Sequence, residues 1–287
     1  MPLVEILLIL LAASVLAGLA GSVLGIGGGV FLIPFLTLVL GVETHVAIAT
    51  SLIGVIATSS GAASVYVRDR LANLRLGMFL EIATTMGAIA GALAAVALER
   101  NVLELAFAVV ALYAAAYMIR TRETAKDRAY RPGPESRASR ILDLGSVYFD
   151  AEDGGVYRYR VERPGAGFGI SAAAGAVSGL LGVGGGFIKV PAMNSVMRVP
   201  MKVAVATSNF MIGVTAAASA FIFYSRGFVD PALASVVVVG VFSGTNVGTR
   251  LMVRARPARL QLGFGVALAC VGVAMALRAL GVVGVGP

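Results

Sequence analysis

Apolar residues along this chain come in long unbroken runs, not in alternating or heptad patterns. In the first half the runs cover roughly 3–25, 28–41, 46–66, 76–98 and 102–119, and in the second roughly 166–182, 185–197, 203–224, 232–250 and 259–281. A helix of about 20 apolar residues spans the hydrocarbon core of a bilayer. Most of the runs approach that length, and the pattern predicts an all-α polytopic membrane protein. The second run of each half is too short to cross as an ordinary helix, at about 14 residues or fewer. Each short run meets its predecessor at a Gly-x-Gly-Gly-Gly sequence, which predicts a re-entrant hairpin or two broken helices.

The two sets of runs are copies of one another. Gly25-Ile-Gly-Gly-Gly-Val-Phe-Leu-Ile-Pro34 returns as Gly182-Val-Gly-Gly-Gly-Phe-Ile-Lys-Val-Pro191, an offset of 182 − 25 = 157 positions. The same offset carries Val46-Ala-Ile-Ala-Thr-Ser51 onto Val203-Ala-Val-Ala-Thr-Ser208, Gly87 onto Gly244 and Gly91 onto Gly248. A fixed offset over that distance is the mark of a duplication. The reading divides the chain into a first membrane repeat over 1–119, a connecting loop over 120–165 and a second membrane repeat over 166–287.

Five segments per repeat is an odd number, so the copies should lie inverted in the membrane. Loop charges test this separately, because Lys and Arg favour the cytoplasmic side. Arg68, Arg70 and Arg75 follow the third segment, whereas the equivalent loop near Arg226 and Asp230 is almost bare of positive charge. Arg254, Arg256 and Arg259 follow the fourth segment of the second repeat; the equivalent loop holds Glu99 and Arg100. Placing every basic loop in the cytoplasm gives one consistent path with both chain ends outside. The central loop carries ten basic residues against eight acidic ones between Arg120 and Pro164. Its two short β-prone stretches, 147–150 and 156–161, flank Glu152-Asp-Gly-Gly155 and predict a small cytoplasmic hairpin.

Composition sharpens this picture. Hydrophobic residues make up 58% of the 287 and charged ones 13%, with a mean hydropathy of +0.91. The net charge of +8 suggests nucleic acid at first sight, but the basic residues sit in the gaps between apolar runs, so no nucleic-acid partner is expected. The N-terminal run carries Glu5 where a signal peptide needs a positive start, and it reads as a retained first span. Cys270 is the only cysteine, which excludes an internal disulfide or a thiolate cluster, and it is expected to pack inside a helix bundle. No catalytic motif, metal-ligand spacing or cofactor fingerprint is present, so neither enzyme activity, a metal nor a cofactor is expected.

Candidate chemistry concentrates at the two glycine motifs. Helices broken inside a membrane expose free N–H groups whose positive ends favour anions, and glycine lets a ligand approach the backbone. Gly27, Gly28 and Gly29, with Gly184, Gly185 and Gly186, are the candidate substrate-binding turns. Thr50 and Ser51, with Thr207, Ser208 and Asn209, could complete an anion cradle or could bond their own helix carbonyls. Lys189 lies within a short apolar run, opposite Leu32 in the other repeat, and is either a substrate-binding ammonium or a snorkelling side chain. Glu81 is the acidic candidate, for carrying a coupling proton or pairing with a base. His45, the only histidine, falls in an outer loop and is expected to be solvated.

The paired GIGGGVFLIP and GVGGGFIKVP, each followed by an Ala-Thr-Ser run, resemble the TauE/SafE family of sulfite exporters and sulfonate permeases. The resemblance covers both repeats. It implies a bacterial or archaeal plasma-membrane permease for a small anion such as sulfite, sulfoacetate or a related sulfonate, with the glycine motifs on the substrate pathway. Alternating access, the halves rocking about a central site, is the mechanism expected. An anion channel, or a membrane scaffold working through the central loop, stays open as an alternative, as does a homo-oligomer. Partners are then the substrate and membrane lipid.

Overall fold

The computed structural model describes residues 3–120, 137–150, 154–254 and 258–281. The first repeat comprises α1 (Leu3–Leu24), α2 (Gly29–Pro34), α3 (Thr44–Arg68), α4 (Leu74–Ala95) and α5 (Arg100–Arg120). A short connector holds α6 (Arg137–Ile141), β1 (Ser146–Asp150) and β2 (Gly155–Tyr159). The second repeat comprises α7 (Pro164–Leu181), α8 (Gly186–Pro191), α9 (Met201–Ser225), α10 (Pro231–Arg254) and α11 (Ala258–Ala279). Among the described residues, eight helices are long and apolar enough to cross a membrane.

Local chemistry sets the helix ends. Glu43 accepts from the Val46 N–H, Asn73 from Leu76, and Asp230 from Ala232 and Leu233, which satisfies donors that a helix start leaves open. Pro164 and Pro231 open α7 and α10, where a missing N–H costs nothing. The prolines at the ends of the short helices do not stop the chain from coiling. α2 and α8 end at Pro34 and Pro191, and the chain continues as one π-helical stretch in each, Phe35–Val39 and Ala192–Val196. A proline removes one ladder bond, and the wider turn absorbs that loss.

Small residues govern helix contact. α1 packs on α10, α7 on α4, α3 on α9 and α5 on α11. A Cβ added at Gly87 would overlap the Ala172 carbonyl, and one at Gly244 would overlap Val15, the residue 157 positions before Ala172 (172 − 15 = 157). Gly175 meets the Thr84 carbonyl as Gly18 meets Val241, again related by the offset. Without Cβ atoms the backbones touch, which is how membrane helices gain packing when lipid offers no hydrophobic drive. Each repeat therefore lends its first helix to the fourth helix of the other. The halves interlock.

Large apolar side chains face outward instead. Met78, Ile82, Met86, Ile89 and Leu93 form an exposed stripe along α4 at helical spacing. In water such a stripe would be a liability; against lipid tails it is a solvated face. Cys270, expected inside, also lies exposed on α11. An isolated small thiol in an apolar helix carries no periodic signal of which way it faces.

The connector is fastened to one end of the bundle. β1 and β2 pair antiparallel with Tyr148 opposite Tyr157, as the two β-prone stretches implied. Asn73 Nδ2 donates to the Leu144 carbonyl and to the Tyr159 hydroxyl, both at 2.8 Å. The Glu162 N–H bonds the Met197 carbonyl, and Arg75 pairs with Asp143. These ties set the α3–α4 loop, the turn before α9 and the connector side by side.

Candidate functional site

The two glycine turns meet in the middle of the molecule. Gly27 and Gly28, and likewise Gly184 and Gly185, adopt left-handed conformations with φ between 69° and 83°, a region costly for other residues. Gly29 lies against the Gly182 carbonyl and Gly186 against that of Gly25, so each turn rests on the other. Ser51 Oγ donates to the Gly182 carbonyl at 3.0 Å, and Ser208 Oγ donates to the Gly25 carbonyl at 2.9 Å. These two bonds are mates under the repeat offset. Val55 and Ile212, another matched pair, close over Gly27.

The remaining cradle residues divide by what they bond. Thr207 Oγ1 accepts from the Asn73 N–H at 3.0 Å, which links the Ala-Thr-Ser run to the start of α4. Asn209 Nδ2 donates to the Ser22 and Val205 carbonyls. Thr50 Oγ1 and Asn209 Oδ1 are buried without a hydrogen-bond partner among the described residues. Unpaired buried polar atoms are uncommon and call for an explanation, a ligand being one. Beside the turns runs a crevice lined by Leu24, Ile26, Ala114, Phe187 and Val190, too apolar to hold an anion by itself.

Lys189 stands inside the bundle with 1% of its surface exposed, so it does not snorkel. Its ammonium donates to Thr215 Oγ1 at 3.2 Å, and Thr215 donates to Glu81 Oε1 at 2.6 Å. Glu81, itself 9% exposed, also accepts from Thr85 and Thr84, each at 3.0 Å. A Cβ built on Gly185 would lie 3.1 Å from Ser178 Cβ and 3.3 Å from Lys189 Cε, so these side chains share one small space. Ser178 Oγ is a further buried hydroxyl without a partner among the described residues. An ammonium has three N–H donors, and the described residues occupy one of them. Glu81 comes from the first repeat on α4; Lys189, Ser178 and Thr215 come from the second.

The equivalent positions of the other repeat hold no charge. Leu32, Thr58, Gly21 and Val238 are the counterparts of Lys189, Thr215, Ser178 and Glu81 in that order, and Leu32 packs against Gly54. Only one of the two matched sets of positions carries charge. Sequence reading found Lys189 and Glu81 because a charge in an apolar run stands out, but it missed Thr215, Ser178, Thr84 and Thr85. Hydroxyl residues are frequent in membrane helices, and only proximity to the charge marks these four.

A second buried charge cluster lies elsewhere. Glu104, 1% exposed, accepts from Thr44 Oγ1 at 2.9 Å and from Arg100 Nε at 2.7 Å, with Arg278 Nε at 3.8 Å. Arg278 also reaches the Thr37 carbonyl. His45 is not solvated as expected: its side chain is 13% exposed, bonds Glu43 and the Ala95 carbonyl, and stacks on Phe228. It lies in the first turn of α3, not in a loop. Among the described residues, no three His, Cys, Asp or Glu side chains gather as a metal site requires.

Comparison with known proteins agrees with this architecture. A family model described as sulfite exporter TauE/SafE matches residues 10–275. The chain is 27% identical over 251 residues to the probable membrane transporter protein YunE of Bacillus subtilis (strain 168), covering 85% of this chain and 87% of the relative. It is 25% identical over 252 residues to a probable membrane transporter protein of Xylella fastidiosa (strain 9a5c), covering 88% and 87%. No solved structure matches it. The family and these relatives bear the names of transporters, not of enzymes. With a match that takes in both glycine motifs and all or most of each of the eight apolar spans, the chain belongs to the sulfite exporter TauE/SafE family and is a multi-pass membrane transporter.

Proposed function

We propose that this transporter moves a small anion, sulfite or an organosulfonate such as sulfoacetate, across the plasma membrane as a secondary carrier. Lys189 carries the reading. A buried ammonium with donors to spare, beside the unpartnered Ser178 hydroxyl, suits a compact oxyanion with several acceptor oxygens. The glycine turns Gly27–Gly29 and Gly184–Gly186, with Thr50, Ser51, Thr207, Ser208 and Asn209, form the adjoining pathway. The first N–H groups of α2 and α8 have no acceptor within their own helices and add positive potential there. The family's own description, sulfite exporter, favours a sulfur oxyanion over other anions.

The mechanism we propose is alternating access between inverted repeats. Gly265 lies against Met118 and Gly272 against Leu112, so α5 and α11, which are repeat mates, run antiparallel. A pair related by inversion in the membrane should do so. Three basic loops, after α3, before α9 and between the repeats, are tied together at one end of the bundle, which supports a cytoplasmic location for that end. The moving bodies are mixed ones. α1, α2, α3 and α10 form one, and α4, α7, α8 and α9 the other, meeting at the α3–α9 contact and the glycine turns.

Counterflow of labelled sulfite and small sulfonates in proteoliposomes tests this. Saturable exchange is expected, with Lys189→Ala weakening apparent affinity by about tenfold to a hundredfold, the worth of a charged hydrogen bond. Gly185→Ala should impair exchange too, since its Cβ would meet the Ala174 carbonyl at 2.8 Å. Flux without saturation would instead indicate a channel. No flux across the panel from folded protein would overturn the anion reading and leave a scaffold acting through the connector.

A further inference from the structure

The Lys189 site contains its own counter-charge, and we infer that Glu81 carries a coupling proton, so that one proton accompanies each monovalent anion moved. The inference rests on the anion-site reading above and adds the coupling ion to it. Charge balance is the first argument. Lys189 and Glu81, bridged by Thr215, make a buried group with no net charge. An anion arriving at Lys189 would leave one uncompensated negative charge inside the membrane, which is costly. Protonation of Glu81 restores neutrality.

The hydrogen bonding is built to allow that protonation. Two of the three hydroxyls that serve the carboxylate have second acceptors in their own helices. Thr215 Oγ1 also lies 3.3 Å from the Met211 carbonyl, and Thr84 Oγ1 lies 3.1 Å from that of Leu80. When Glu81 takes a proton from water on the open side, Thr215 turns its hydroxyl to Met211 and accepts the new O–H. No donor is stranded, and the Lys189 ammonium loses its competing anion. On the far side the substrate leaves, the proton returns to water, and the original bonds re-form.

Among the described residues, nothing else nearby competes for the role. α7 holds no titratable residue, and α8 holds only Lys189. Lys202 and Tyr224, the titratable residues of α9, lie near its two ends, and Arg75 lies at the start of α4, its side chain mostly exposed and paired with Asp143. The second buried carboxylate, Glu104, is paired instead with Arg100 and Arg278.

Methanesulfonate, a monoanion across the working pH range, is a suitable probe. Wild-type protein in proteoliposomes should exchange it and should also accumulate it about tenfold per unit of imposed pH gradient, the equivalence of one proton. Alkalinisation of the medium on the proton-donating side, read with a trapped or external pH dye, should match uptake one to one. Glu81→Gln mimics the protonated side chain, and whatever exchange it supports should no longer respond to the pH gradient. Exchange by wild-type protein that ignores the gradient and moves no protons would overturn the inference and leave the anion site standing. So would Glu81→Gln accumulating as wild type does. Absence of wild-type exchange would overturn both readings together. If Glu81→Gln does not fold, the wild-type dye measurement still decides.

Discussion

Asn73 joins three parts of the molecule through one residue. Its side-chain oxygen caps α4, its amide nitrogen holds Leu144 and Tyr159 of the connector, and its backbone N–H reaches Thr207 of the Ala-Thr-Ser run. Asn73→Ala should therefore cost about 1–2 kcal/mol, roughly a lost cap together with a lost buried hydrogen bond. Asn73→Asp keeps the cap, loses the donor and should fall between, as thermal unfolding in detergent would measure. Residues differ in how plainly they read from sequence. Lys189 and Glu81 were legible because desolvating a charge is expensive and evolution seldom retains one in an apolar run without use. Thr215 was not, because nothing in its own segment separates it from Thr58, its mate in the other repeat.

At the scale of elements, backbone contact between helices decides stability. α4 and α7 approach so closely at Gly87 that any Cβ meets the Ala172 carbonyl. Gly87→Ala should destabilise by about 1–3 kcal/mol, as overpacking does, despite the better helix propensity of alanine. Gly169, also within a helix, faces open space, and Gly169→Ala should be neutral or stabilising by up to about 1 kcal/mol. Equal losses at the two sites in a detergent melt would remove the close-packing argument. The helices themselves were legible as apolar runs to within a few residues, and so were the short second segments. Their π-helical continuation past Pro34 and Pro191 was not, since a proline states that a ladder bond is missing without saying how the chain repairs it.

Across the whole molecule, the interlocked repeats place two charge clusters in different settings. Glu81 and Lys189 pair through a hydroxyl, with donors and acceptors in reserve, which suits a group that must change partners. Glu104 is held by Arg100 and Arg278 from α5 and α11, with Thr44 of α3, a fastening between three helices. Glu104→Gln should destabilise the fold by about 1–3 kcal/mol, because it leaves the partly buried Arg278 without its counter-ion. The same change should leave proton coupling intact in protein that folds, which a pH-gradient accumulation assay would check.

What the sequence determined by itself was the membrane character, the segment lengths, the duplication and the two charges that do not belong in lipid. Each of these is a property of local composition or of one stretch matched against another, and needs no knowledge of contacts. Only the tertiary structure decided that α1 crosses to α10 and α7 to α4, and that Thr215 stands between Lys189 and Glu81. Those facts depend on which backbones can approach within glycine contact, and on residues 81, 189 and 215 meeting across separate helices. Pairwise packing of that kind leaves no periodic trace along the chain.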